Sequence, residues 1–343
     1  MDIVSTAIRR FPTLGEAFRI GPHARAHTVA ARVLTSALVP AAVLLGLGRT
    51  DLLPFALLTS LMSVYGRRAS RAQRLAVQGQ VMALQVALLL IGAALAVVAP
   101  GPVTVVIGTA IVAGLTTVIA DVRGWNPPGA LFFTFGFAVI VSAPAVISLM
   151  DVALTAVAAA IFALIVTALF SRTVPAIAAP PHVPKPGLVV GVHALICLVG
   201  AAAAGSIGVA LGISHPYWAM VAAIVPVVGL TTSGQTLKAF QRVAGTLVGL
   251  LIAFALFAWN LPSPAVLLVI VSLMALTELF IARNYALALL FLTPITIGLP
   301  FLAGTPDLGE LLAARGLETV IGSAVGFVLI LASHRVRHPR ARD

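Results

Sequence analysis

Between Lys238 and Leu250 the chain reads KAFQRVAGTLVGL, with two cations, Lys238 and Arg242, four residues apart and Gly245 and Gly249 at the same interval. On an α-helix advancing about 100° per residue, these four and Thr246 share one face. Small residues at that spacing let helix backbones approach closely in lipid, so Gly245 and Gly249 are expected at a helix contact. Cations on the same stripe then point into a bundle, where leaving them unpaired is costly. There Lys238 and Arg242 would attract a carboxylate, and the planar fork of Arg242 suits one bidentately. The same pair also reads as ordinary positive anchors with snorkelling side chains.

Few other residues carry chemistry. Glu278 reads either as a proton-coupling carboxylate or as an interfacial partner of Arg283. Arg315 and Glu318, three apart, are expected to pair on one helix, with Glu318 the deeper candidate for proton coupling. Trp125, Trp218 and Trp259 fall at expected helix ends, where aromatic anchoring is the default. The histidines show no metal-ligand spacing, and Cys197 has no partner in the chain. No nucleotide loop, Ser-His-Asp arrangement or acid/base carboxylate pair is visible, so neither catalysis, a metal nor a cofactor is expected.

These residues must be positioned by membrane helices. Of 343 residues, 60% are hydrophobic and 9% charged, and the mean hydropathy is +1.12, too little polarity to cover a soluble globule. The apolar runs have the length of helices crossing about 30 Å of hydrocarbon. The expected fold is an all-α polytopic membrane protein of about twelve transmembrane helices, near 29–48, 51–66, 75–99, 102–120, 129–150, 151–170, 188–212, 216–230, 239–258, 262–281, 285–302 and 308–333. With both termini in the cytoplasm, only Arg49 and Arg315 of the 21 Lys and Arg fall on the far side. The net charge of +11 is thus accounted for by topology, and no nucleic acid is implied. The start of the chain lacks a long apolar core before a small-residue cleavage site, so no cleaved signal peptide is expected.

The Pro-rich stretch SRTVPAIAAPPHVPKPG divides six helices from six. The expected organisation is a basic amphipathic segment on the inner surface over 1–28, a first half over 29–170, a linker over 171–187, a second half over 188–333 and a basic tail over 334–343. Halves of six imply parallel repeats. GALFFTFGFAVIVSAP at 129–144 lies without gaps on YALALLFLTPITIGLP at 285–300, matching Ala130 with Ala286, Leu131 with Leu287, Phe135 with Phe291 and Pro144 with Pro300. The second and eighth helices are expected to be short. Short or broken segments at matching places point to a central pathway, although prolines also merely kink packed spans.

HPYWAMVAAIVPVVGLTTSGQTLKAFQRVAGTLVGLLIAFAL, residues 215–256, resembles the fusaric acid resistance and aromatic acid exporter superfamily. Tyr217, Trp218 and Ala219 form its aromatic helix start, and Arg242, Gly245, Thr246 and Gly249 its R-x-x-G-T-x-x-G. ARNYALALLFLTPITIGL resembles it through Arg283, Asn284, Tyr285 and Thr293. The first half keeps only the order of parts, and the sizeable cytoplasmic domain of many relatives is replaced by the connector. The resemblance implies a transporter exporting organic anions, particularly aromatic carboxylates. It offers Arg242, Thr246, Tyr217, Trp218, Arg283 and Asn284 as the substrate pathway, which Lys238 joins from its place on the same helix face. The competing readings are an anion channel and a non-transporting envelope protein. A major facilitator, also six plus six, would show an acidic residue in the basic loop after the second helix. The expected partners are the lipid bilayer and a small organic anion, in the plasma membrane, and a homo-oligomer is compatible with the sequence.

Overall fold

The computed structural model describes residues 15, 19–23, 26–67, 69–143, 148–173, 184–213, 215–228, 232–259, 261–302 and 307–337. Most of the N-terminal segment and the linker, and the end of the tail, lie outside the described residues. These form α1 (Ala26–Gly46), α2 (Leu53–Ser60), α3 (Arg71–Val98), α4 (Pro102–Arg123), α5 (Leu131–Val141), α6 (Leu149–Thr173), α7 (Gly187–Ala210), α8 (Tyr217–Ile224), α9 (Thr232–Phe257), α10 (Ser263–Phe280), α11 (Tyr285–Leu302) and α12 (Leu308–Arg337). Among the described residues there is no strand. The protein is a multi-pass, all-helical membrane protein.

Among the described residues, eight helices, α1, α3, α4, α6, α7, α9, α10 and α12, are long and apolar enough to cross a membrane. The expectation of about twelve spans is therefore met only in part, because α2, α5 and α8 are shorter and α11 counts as an apolar helix only over Tyr285–Leu299. In α8 the cause is Pro226, which cannot donate the next helical hydrogen bond, so the chain passes into a 3₁₀ turn at Pro226–Val228. The expected 129–150 helix is also cut down, to α5, and α6 begins at Leu149.

Starts are set locally. Pro102 opens α4, where its missing N–H costs nothing. Ser70 and Gln73 cap α3 reciprocally, so that helix starts at Arg71 rather than at the first apolar residue. In the same way α9 begins at Thr232, well ahead of the apolar run expected from 239. Arg242 consequently lies about 15 Å along α9 rather than at its mouth.

Helix α1 packs on α2 and α6, α3 on α5 and α6, and α4 on α5. Helix α7 packs on α8 and α12, α9 on α11 and α12, and α10 on α11. Two seams join these groups, α4 against α7 and α1 against α10. One apolar core runs through both, holding Tyr65, Phe133 and Phe137 as well as Trp218, Met220 and Ile270. Trp125 belongs to it too, against Phe133 at 5.6 Å, whereas Trp259 is 79% exposed as an anchor would be.

Each seam holds a buried carboxylate two residues before a helix end. Asp121 of α4 meets His193 Nδ1 of α7 at 2.6 Å and accepts from Lys185 Nζ at 2.6 Å. Glu278 of α10 pairs with Arg67 and lies within electrostatic reach of Arg32 of α1. The expected Glu278–Arg283 pair is not formed, because Arg67 already occupies Glu278 and Arg283 turns to the backbone of Gly21.

Close helix approach positions the site. In α12, a Cβ on Gly326 would stand 2.6 Å from the Ala223 carbonyl oxygen, and one on Gly322 would run into Ala219. In α9, a Cβ on Gly245 would stand 2.6 Å from the Ala286 carbonyl oxygen, and one on Gly249 2.8 Å from that of Leu289. Glycine is the only residue that fits such contacts unchanged.

Candidate functional site

The glycine contacts bring α8, α9, α11 and α12 together around a buried polar cluster. The α8–α12 contact places Arg315, two turns before Gly322, against the start of α8. Its guanidinium carbon sits 5.0 Å from the centroid of the Trp218 ring, a cation–π arrangement. From α9, Arg242 reaches the same region, and its Nη1 donates to the Tyr285 hydroxyl at 2.7 Å. Arg315 is within electrostatic reach of Arg242, Glu318, Tyr285 and Tyr217.

Burial is deep: Arg242 is 2% exposed, Arg315 3%, Trp218 1% and Glu318 not at all. Yet hydrogen-bonding capacity is left over. Arg242 Nε, Arg315 Nε and Nη1, both Glu318 carboxyl oxygens and the Thr246 and Thr293 hydroxyls have no hydrogen-bond partner among the described residues. The expected Arg315–Glu318 pair is therefore not made. Buried donors of this kind cost free energy unless something accepts from them. Two guanidinium groups with spare N–H donors, one of them over an indole ring, can bind an anion carrying a flat apolar body.

The remaining wall is aromatic. Tyr217 meets Trp218 edge-on at 5.6 Å, and His215 stacks on the Trp218 ring at 5.0 Å. Burial lowers the pKa of His215 and the Glu310 charge opposes this, so a largely neutral ring faces Trp218 at neutral pH.

Of the residues singled out in sequence, Arg242, Thr246, Tyr217 and Trp218 are carried by the helices around this cluster. Lys238 is half-buried one turn before Arg242. Arg283 and Asn284 are used elsewhere. Arg283 Nε donates to Gly21 O at 3.1 Å, while Asn284 donates to Arg19 O at 3.2 Å and accepts from the Leu287 amide at 3.0 Å, capping α11. Glu278 belongs to the α1–α10 seam, and Gly245 and Gly249 to the α9–α11 contact.

Two members were missed as site residues. Arg315 was read as the partner of Glu318; its signal was a cation on the face of the protein otherwise almost free of Lys and Arg. Tyr285 was named only among the residues that carry the family resemblance, and its hydroxyl on Arg242 places it at the site.

In the first half the buried cations have no spare capacity of this kind. Arg74 donates from Nε to Gly66 O at 3.0 Å, from Nη1 to Ser171 Oγ at 2.9 Å and from Nη2 to Ala69 O at 3.0 Å. Arg32 Nε and Nη2 donate to Ser63 O at 3.1 and 2.8 Å, and Gln78 Nε2 donates to the same oxygen at 2.7 Å. These groups satisfy carbonyls freed where the chain leaves α2.

The segment that carries the cluster is the segment that comparison with known proteins picks out. Residues 188–329 match the fusaric acid resistance protein-like family. All four helices of the cluster lie in or reach that fusaric acid resistance-like segment. The chain is also 31% identical over 127 residues to an uncharacterized membrane protein, YvaC, of Bacillus subtilis (strain 168). That stretch covers 37% of this chain and 20% of the relative, so the chain spans well under two thirds of it. No solved structure matches.

Proposed function

We propose that this protein is a membrane transporter that exports organic anions from the cytoplasm, with Arg242 and Arg315 as the anion-binding groups. The observation that carries this reading is the pair of guanidinium groups buried within electrostatic reach of each other with donor N–H groups unmet. Mutual repulsion and desolvation both oppose such a pair, and an anion relieves both. Tyr285 orients Arg242. Trp218 and Tyr217 face the apolar body of the substrate, Thr246 and Lys238 line the approach along α9, and Glu318 is the carboxyl group within the site. Kinship with fusaric acid resistance-like proteins supports the same class.

The helices are arranged as two parallel repeats of six in this reading. The support is that α1 to α6 and α7 to α12 have matching neighbours. Asp121 and Glu278 also occupy the same place relative to the ends of α4 and α10, while Arg32 and His193 are each the seventh residue of α1 and α7. The positive charge distribution supports placing both termini and the linker in the cytoplasm, with Glu278 and Asp121 toward that side.

The test is a deletion strain challenged with a panel of aromatic and aliphatic acids. Greater sensitivity and slower efflux of one or more acids, restored by the gene, is the expected result. Unchanged efflux of every acid would count against anion export.

A further inference from the structure

Glu318 is wholly buried, one turn beyond Arg315 on α12, and neither carboxyl oxygen has a hydrogen-bond partner among the described residues. The guanidinium groups of Arg242 and Arg315 contribute two positive charges. An ionised Glu318 leaves the site with one net positive charge, and a proton taken from water restores two. Net charge in a space this dry is expensive, so the anion favoured is the one that cancels it.

We propose that Glu318 sets the valence of the anion this site accepts: a monoanion when its carboxyl is ionised, a dianion when it is protonated. This rests on the anion reading of the Arg242–Arg315 site and makes Glu318 a specificity-determining residue rather than a second binding group. The charged and titratable groups within electrostatic reach of it are Arg315 on its own helix and Tyr217 on α8; Arg242 on α9 and Tyr285 on α11 act on Arg315, and His215 stacks on Trp218 beside them. Helix α7 contributes His193 and Cys197, which lie with Asp121 on the α4 side. Phenols ordinarily titrate near pH 10 but imidazoles near 6.5, so His215→Phe, which keeps a ring on Trp218, serves as the parent in this test, and a window from about pH 9 to about pH 5 then isolates the carboxyl within the site.

Benzenesulfonate and 1,3-benzenedisulfonate are suitable probes, since both keep their charge throughout. Calorimetric titration of the purified full-length protein gives the ratio of their dissociation constants and cancels the effect of size. In the parent, preference should move toward the disulfonate by about tenfold as pH falls across that window. Glu318→Gln should show the low-pH preference at every pH, and Glu318→Asp should keep the pH response. If Glu318→Gln does not accumulate, the parent and Glu318→Asp titrations decide. A ratio that is flat with pH in the parent, or a Glu318→Gln protein that still responds to pH, overturns the proposal while leaving anion binding intact. If neither sulfonate binds the parent at any pH, the proposal and the anion reading fall together.

Discussion

The guanidinium group of Arg315 lies over the indole ring of Trp218, 5.0 Å from its centroid, with the Glu318 carboxyl one turn further along the same helix making no hydrogen bond among the described residues. An arginine and a glutamate three residues apart ordinarily satisfy each other. Here the cation is held by an aromatic face, which stabilises it without consuming its N–H donors. This leaves the donors free for an anion.

Trp218→Phe should preserve a weaker ring contact, whereas Trp218→Ala should remove it. Desolvated cation–π contacts contribute about 2 kcal/mol, so Trp218→Ala should weaken anion binding by roughly tenfold to thirtyfold and Trp218→Phe by less. Dissociation constants for benzenesulfonate check this. Equal loss in both would mean that the ring acts only by filling space.

The two halves should respond differently to removal of a buried cation. Arg74→Gln breaks three hydrogen bonds to protein groups and should lower thermal stability, by about 1–3 kcal/mol for each buried group left unpaired. Arg242→Gln loses the bond to Tyr285 but relieves repulsion with Arg315, so its unfolding temperature should change little while anion binding falls. Thermal unfolding in detergent, beside binding, separates the two.

Much of this was legible in sequence, and the reasons for the rest are physical. Apolar run lengths and the Pro-rich interruption gave an all-helical membrane protein, and the four-residue spacing of Gly245 and Gly249 marked a face. Their close approach to α11 depends on Ala286 and Leu289, which no local pattern singles out. Helix starts were misplaced wherever polar residues open a helix, as at Thr232, because the apolar period begins later than the helix does. That reading set Arg242 at the mouth of its helix, whereas it lies about 15 Å along α9. Arg315 was hidden by its proximity in sequence to Glu318, since spacing shows which residues can pair and not which do. Arg283 and Asn284 were placed in the pathway by motif alone, but backbone contacts with residues 19–21 occupy them.

Gly326→Ala should be disruptive although it adds one methyl group, because that Cβ would meet the Ala223 carbonyl oxygen at 2.6 Å. Forcing the backbones apart costs about 1–3 kcal/mol and would also shift Arg315 relative to Trp218. Gly79→Ala, where a Cβ meets nothing within 4 Å, should be neutral or slightly stabilising. Folded yield and unfolding temperature provide the comparison. Similar behaviour of the two variants would contradict close packing of α8 on α12.

Orientation is open to cysteine accessibility labelling in a background lacking Cys197. Cysteines at positions 70 and 180 should react only with reagent that reaches the cytoplasm, and one at 307 with impermeant reagent added outside. Labelling of position 180 from outside would overturn the six-plus-six topology.

Anion flux through proteoliposomes containing the parent or Arg242→Gln protein, reconstituted in equal amount and orientation, bears most directly on the central claim. The parent should move an organic anion at a rate set by an imposed potential or proton gradient, and Arg242→Gln should reduce that rate by about tenfold or more while Arg335→Gln, in the last turn of α12, leaves it unchanged. Parent-like flux through well-inserted Arg242→Gln protein would show that the buried guanidinium pair does not bind the transported anion.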